Sequence, residues 1–76
     1  MNLIVAKHNA AALRFRKFMN LNGAEWDIVG VGNPVTRKYN RILVLLTYEE
    51  TKEYNQYIKV VLMTKVVDPQ EDILYV

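Results

Sequence analysis

A chain of 76 residues, 51% hydrophobic and 24% charged at a formal net charge of +2, is too apolar for a disordered segment and short enough to be one domain, which buries only about 60% of its unfolded surface. The absence of cysteine excludes a disulfide scaffold, a thiolate zinc centre and a cysteine nucleophile. No apolar run reaches the ~18–20 residues of a membrane span, and the N-terminal MNLIVAKHNAAALRFRKF is broken by Lys7 too early for a secretory signal, so a soluble, cytoplasmic protein is expected.

In chain order, NLIVA at 2–6 reads as a short strand. Asn9 is placed to cap a helix over about 10–22, because its amide can accept a free backbone N–H. Ala11, Phe15, Phe18, Met19 and Asn22 fall at helical spacing, with Phe15, Phe18 and Met19 as the apolar heart. Arg14 and Lys17 lie opposite, Arg16 flanks them, and Gly23 suits a left-handed stop. WDIVGV at 26–31 predicts a second strand, broken by Gly32, Asn33 and Pro34, since Pro34 cannot donate to a ladder. RILVLL at 41–46 predicts the third, and Thr47 with Glu50 has the spacing of a capping box. Tyr54, Tyr57, Ile58, Val61, Leu62 and Lys65 keep helical spacing, which predicts a helix from 48 to about 64 with Tyr54 and Tyr57 against the sheet. The segment YIKVVLMTKVV is β-branched enough to form a strand over 57–67 instead. Asp68 and Pro69 end it, and DILYV at 72–76 is the last strand.

The order β-α-β-β-α-β suits two folds. A ferredoxin-like α+β sandwich has antiparallel strands with one wet face, so its strands alternate; a small doubly wound α/β sheet is covered on both faces, so its strands are continuously apolar. LIVA, ILVLL and ILYV do not alternate. The expectation is a four-stranded, mostly parallel sheet in the order 2-1-3-4 with one helix on each face. Residues 32–40 then cross from one end of the sheet to the other, which nine extended residues can do.

Signals for chemistry are sparse. GVGN at 30–33 lacks the third glycine and following helix of a dinucleotide fingerprint, and ILVLL before Tyr48-Glu49-Glu50 lacks the phosphate cradle of an NTPase. One histidine and scattered carboxylates make no metal or nucleophile set, so no catalytic residue, metal or cofactor is expected. A parallel sheet would gather Lys7, His8 and Asn9 with Thr47, Tyr48 and Glu49 at the crevice where open α/β sheets take small ligands. A His–Glu pair there suits acid–base work, whereas the plainer reading is a solvated histidine beside a helix start.

Charge is unevenly spread. Residues 1–46 carry +5 and residues 47–76 carry −3. The basic loop 36–41 holds Arg37, Lys38, Tyr39 and Arg41, and with Arg14 and Lys17 of the first helix it forms a candidate contact surface. Trp26, Tyr39 and Tyr48 sit at element ends, where part-exposed aromatics anchor protein partners or stack on nucleic-acid bases. A protein partner is the leading expectation, nucleic acid bound through the loop and first helix the alternative, and a solvated basic surface the plain reading. DILYV offers an edge for a homodimer.

The strand LIVAKHN, the helix beginning AA, the W-x-I strand, the basic turn, the ILVLL strand and the capped helix together resemble small uncharacterised α/β accessory proteins of tailed bacteriophages. The basic turn of those proteins tends to carry an Arg-Gly pair; here it reads TRKYNR. The resemblance implies a non-enzymatic viral protein in the host cytoplasm that binds and modulates a host or defence protein.

Overall fold

Leu3, Ile4, Val5 and Ala6 are each 1% exposed or less in the computed structural model, which describes residues 1–76. A strand buried on both faces must lie inside a sheet covered on both sides. Strand β1 (Asn2–Ala6) accordingly lies between β2 (Trp26–Gly30) and β3 (Ile42–Leu45), with β4 (Ile73–Tyr75) beyond β3. The order is 2-1-3-4 and every pairing is parallel, so the chain is a doubly wound α/β domain rather than a ferredoxin-like sandwich. Leu3 pairs with Ile42 and with Asp27, and Ile42 with Ile73.

Side chains divide between the two faces. On one, Leu3, Val5, Val29, Ile42, Val44 and Ile73 pack with Ile58, Leu62 and Val66 in the larger core. On the other, Ile4 and Ala6 meet Ala12, with Ala11, Phe15 and Leu21 around them.

Helix α1 (Asn9–Phe18) covers the second face over β1 and β2. Its cap is His8, whose backbone is extended and whose side chain makes no capping bond, not Asn9. Asn9 is turned to other use: its Oδ1 lies 2.9 Å from where a Cβ on Gly30 would stand, so the helix start rests on a glycine of β2. The helix also stops short of Gly23. Asn20 takes the left-handed conformation (φ 54°), Leu21 N–H bonds Arg16 O at 2.9 Å and Asn20 N–H bonds Lys17 O at 3.1 Å, a Schellman turn built on asparagine. Leu21 is thereby folded back onto the small core beside Phe15, while Phe18 is left 87% exposed and Met19 51%. The buried face is thus Ala11, Ala12 and Phe15, because the last two apolar positions of the periodic pattern fall at the turn.

The residues from 48 to 65 are helical, not a strand, but irregular. The capping box at Thr47 and Glu50 opens α2 (Tyr48–Glu53). A break at Tyr54 leads to a short α3 (Asn55–Tyr57), a π turn (Ile58–Leu62) and a 3₁₀ turn (Met63–Lys65). The β-branched Val60 and Val61 lie within the π turn, where side-chain crowding against the preceding turn weakens regular α geometry. The Thr64 hydroxyl donates to Val61 O at 2.8 Å, satisfying a carbonyl of that turn. Ile58, Leu62 and Val66 still line one stripe, with Tyr54 and Tyr57 packed beside them as expected. Asp68 then caps one further turn, α4 (Pro69–Asp72), so Asp72 belongs to that turn and not to the last strand.

Two helical layers cannot cover four strands completely. The α1 side of β3 and β4 carries no helix, and Leu74 there is 43% exposed. No helix is long and apolar enough to cross a membrane.

Two stability measurements check this account. Leu62→Ala, at a position 0% exposed, is expected to lower unfolding free energy in urea by about 2–5 kcal/mol. Asn20→Ala should cost about 1 kcal/mol through the left-handed backbone, while Asn20→Gly keeps or raises the wild-type midpoint.

Candidate interaction surface

Residues 31–41 must carry the chain from the carboxyl end of β2 past β1 to the amino end of β3. They do so on the face opposite α1, with Val31, Val35 and Tyr39 against the larger core. Backbone groups in such a crossing need partners outside any ladder. The Tyr57 hydroxyl donates to Asn33 O at 2.8 Å, Tyr39 N–H to Lys65 O at 2.7 Å and Asn40 N–H to Met1 O at 2.8 Å. The segment is held at both ends.

Its centre is a polar contact on β2. Asp27, paired with Leu3, points to the face that the crossing covers. The Tyr39 hydroxyl donates to Asp27 Oδ2 at 2.7 Å, and Arg37 Nη1 lies 3.4 Å from the same oxygen. Burial pushes the Tyr39 phenol up to about 12, aided by the hydrogen bond to the Asp27 carboxylate and by its charge, with Arg37 opposing. Tyr39 is only 8% exposed. It therefore anchors the loop from within and is not a contact residue as its sequence position suggested. Arg37, Lys38 and Arg41 are exposed, and the last two make no ion pair.

A cavity of about 270 Å³ opens between the edge of β2 and the crossing. Leu3, Asp27 and Val29 lie on its sheet side and Pro34, Thr36 and Tyr39 on its loop side. Arg16 reaches it from α1 and donates through Nη1 to Trp26 O at 2.9 Å. The helix thus contributes Arg16 to this surface. Arg14 and Lys17 lie on α1 and neither lines the cavity. The periodicity that put Arg16 between the two faces was the available signal for its place at the sheet edge.

The carboxyl end of the sheet gathers other residues. Lys7 Nζ lies 3.9 Å from Glu50 Oε2, and His8 is near enough for its charge to act on the same carboxyl. The facing acid is therefore Glu50; Glu49 is exposed. The Glu50 carboxyl is held below its ordinary value, first by the Thr47 backbone N–H, against some burial, then by the Thr47 side chain, Lys7 and His8. Its oxygens are thus engaged in capping α2. Tyr48 is 72% exposed, with Lys52 Nζ 4.5 Å above its ring. No cavity forms there, since the only one lies at β2, and no cluster of three metal-ligating side chains exists.

No protein-family model, curated protein or solved structure matches the chain.

The Tyr39 contact has a pH signature. The phenol titrates near 10 when unfolded and about 12 when folded. Stability from the neutral phenol is therefore complete below pH ~10 and lost as pH rises through about 12. Tyr39→Phe should flatten the decline in urea stability over that interval and remove the last phenolate to appear in an ultraviolet titration.

Proposed function

We propose that this protein is a non-enzymatic binding protein that engages a protein partner through the basic crossing, with Arg37, Lys38 and Arg41 as the contact cations. One observation supports this reading above the others: the crossing is anchored by Tyr39 on Asp27 and by backbone bonds to Lys65 and Met1. A loop already fixed in shape loses little conformational entropy on binding, so its charges can act as a preformed surface. A complementary partner surface is acidic. The groups at the carboxyl end of the sheet offer no competing site, because the carboxylate that would pair with His8 serves the helix cap. The resemblance to phage accessory proteins gives the partner a class, a host or defence protein met in the host cytoplasm.

The test is capture of partners from bacterial lysate, with and without nuclease, by the tagged chain and by Lys38→Glu/Arg41→Glu. Both residues are exposed and unpaired, so the variant should unfold at the wild-type temperature. One protein retained by the wild type and reduced at least ~tenfold by the variant is the expected result. Capture that disappears with nuclease would assign the loop to nucleic acid, and equal capture by both chains would remove it as the contact surface.

A further inference from the structure

Both outer strands of the sheet leave backbone groups unpaired, and the parity of the ladders says which. Asn2 N–H bonds Glu25 O, and Val31 N–H bonds Ala6 O. Odd-numbered residues of β2 therefore face β1, and Ile28 and Gly30 turn outward. Trp26 O also faces outward but is occupied by Arg16, and Gly30 O accepts from Asn33 N–H. The free groups are Ile28 N–H, Ile28 O and Gly30 N–H. At the other edge, Val76 N–H bonds Val44 O, so residues 74 and 76 face β3. Ile73 O, Tyr75 N–H and Tyr75 O point away from the sheet.

These two sets are complementary. We propose that copies of this chain associate head to tail, with β4 of one copy added in parallel to β2 of the next. Setting Leu74 beside Ile28 of the neighbour lets Ile28 N–H donate to Ile73 O, Tyr75 N–H to Ile28 O and Gly30 N–H to Tyr75 O. Every free group named above then has a partner. The faces agree too. Leu74 and Ile28 both project on the α1 side, and Tyr75 and Val29 both on the other. The neighbour's α1, which overlies its β1 and β2, would overhang the uncovered side of β3 and β4. Leu74, 43% exposed, is the apolar group brought to that seam.

Charge selects this pairing over the two-fold alternatives. The segment entering β4 carries Asp68, Glu71 and Asp72, and the β2 edge carries Arg16, while Arg37 is taken up by Asp27. A two-fold pairing of either edge runs antiparallel, which sets Asp72 against the carboxyl end of the partner's β4, or Arg16 against the carboxyl end of the partner's β2, and brings neither beside an opposite charge. Only β4 on β2 joins opposite signs, with Asp72 beside Trp26 and its bound Arg16. Such a contact is heterologous and does not close on itself at two copies. Four strands per copy at about 4.8 Å give an advance of about 19 Å. A twist of about 20–25° per strand rotates successive copies by about 80–100°.

The measurement is sedimentation velocity at low salt over a concentration series. The wild-type mass should rise above 8.9 kDa, pass through dimer without stopping, and fall back on adding salt. Tyr75→Pro, which deletes one outward donor at an edge position that tolerates proline, should remain monomeric, with circular dichroism unchanged. Arg16→Glu and Asp72→Lys should each weaken association several-fold. A mixture of the two should restore it, since the acid introduced on one chain then meets the lysine introduced on the other. Wild-type protein that is monomeric at about 1 mM, a mass that halts at dimer, or charge variants that fail to rescue one another would each overturn the proposal. It stands apart from the partner-binding role of the loop, because Lys38→Glu/Arg41→Glu should assemble as wild type does.

Discussion

The double burial of β1 constrains everything else in this small domain. Leu3 and Val5 must be covered on one side, Ile4 and Ala6 on the other, by what little chain remains outside the sheet. A helix covers one side. The other is shared between the crossing 31–41 and the irregular helical residues 48–65, which bond to each other at Tyr39 and Lys65 and at Asn33 and Tyr57. The crossing is thus a structural layer as well as a connection. This is why a segment without regular structure is fixed, and why its basic side chains stand on a firm base.

Tyr39 and Asp27 show how an irregular segment can be tied to a sheet. The ring adds apolar area to the core, while the hydroxyl satisfies a carboxylate that faces the covered side of β2. Without the tyrosine, Asp27 would face that layer with Arg37 as its remaining partner at 3.4 Å. The Asp27 side chain is 35% exposed, so water would replace the lost donor and the cost stays near the net worth of one hydrogen bond to a charged group, about 1.5–3 kcal/mol at most. The same residue pair thereby determines where Arg37 sits.

Much of this architecture was legible in the sequence. The continuously apolar LIVA and ILVLL implied cover on both faces, and hence parallel pairing in the order found. The Thr47–Glu50 spacing located a helix start that the β-branched residues after it obscured. The end of α1 was misplaced because Asn20, four residues after Arg16, makes the left-handed turn for which Gly23 was the better statistical choice. That early stop also moved Phe18 and Met19 out of the core. The surface was legible only in part. Arg37, Lys38 and Arg41 stand out as charges, but burial of Tyr39 depends on Asp27, twelve residues away in the chain and identified by no local pattern. Arg16 belongs to the same set of charges, but its destination is a carbonyl on β2, and a helical wheel carries no information about sheet edges.

The all-parallel sheet also governs how the chain reaches its native state. No strand pairs with its neighbour through a tight turn: Ile4 waits for Ile28, Leu3 for Ile42, and Ile42 for Ile73. Each of these closures costs chain entropy before any burial offsets it, which places the domain among slow folders for its size. During synthesis β1 emerges before both of its partners, and the second lies beyond the crossing, so its apolar residues remain incompletely covered until β3 has emerged. The nascent chain therefore spends its most aggregation-prone interval with one edge of its central strand open, and the rate at which the crossing docks sets the length of that interval.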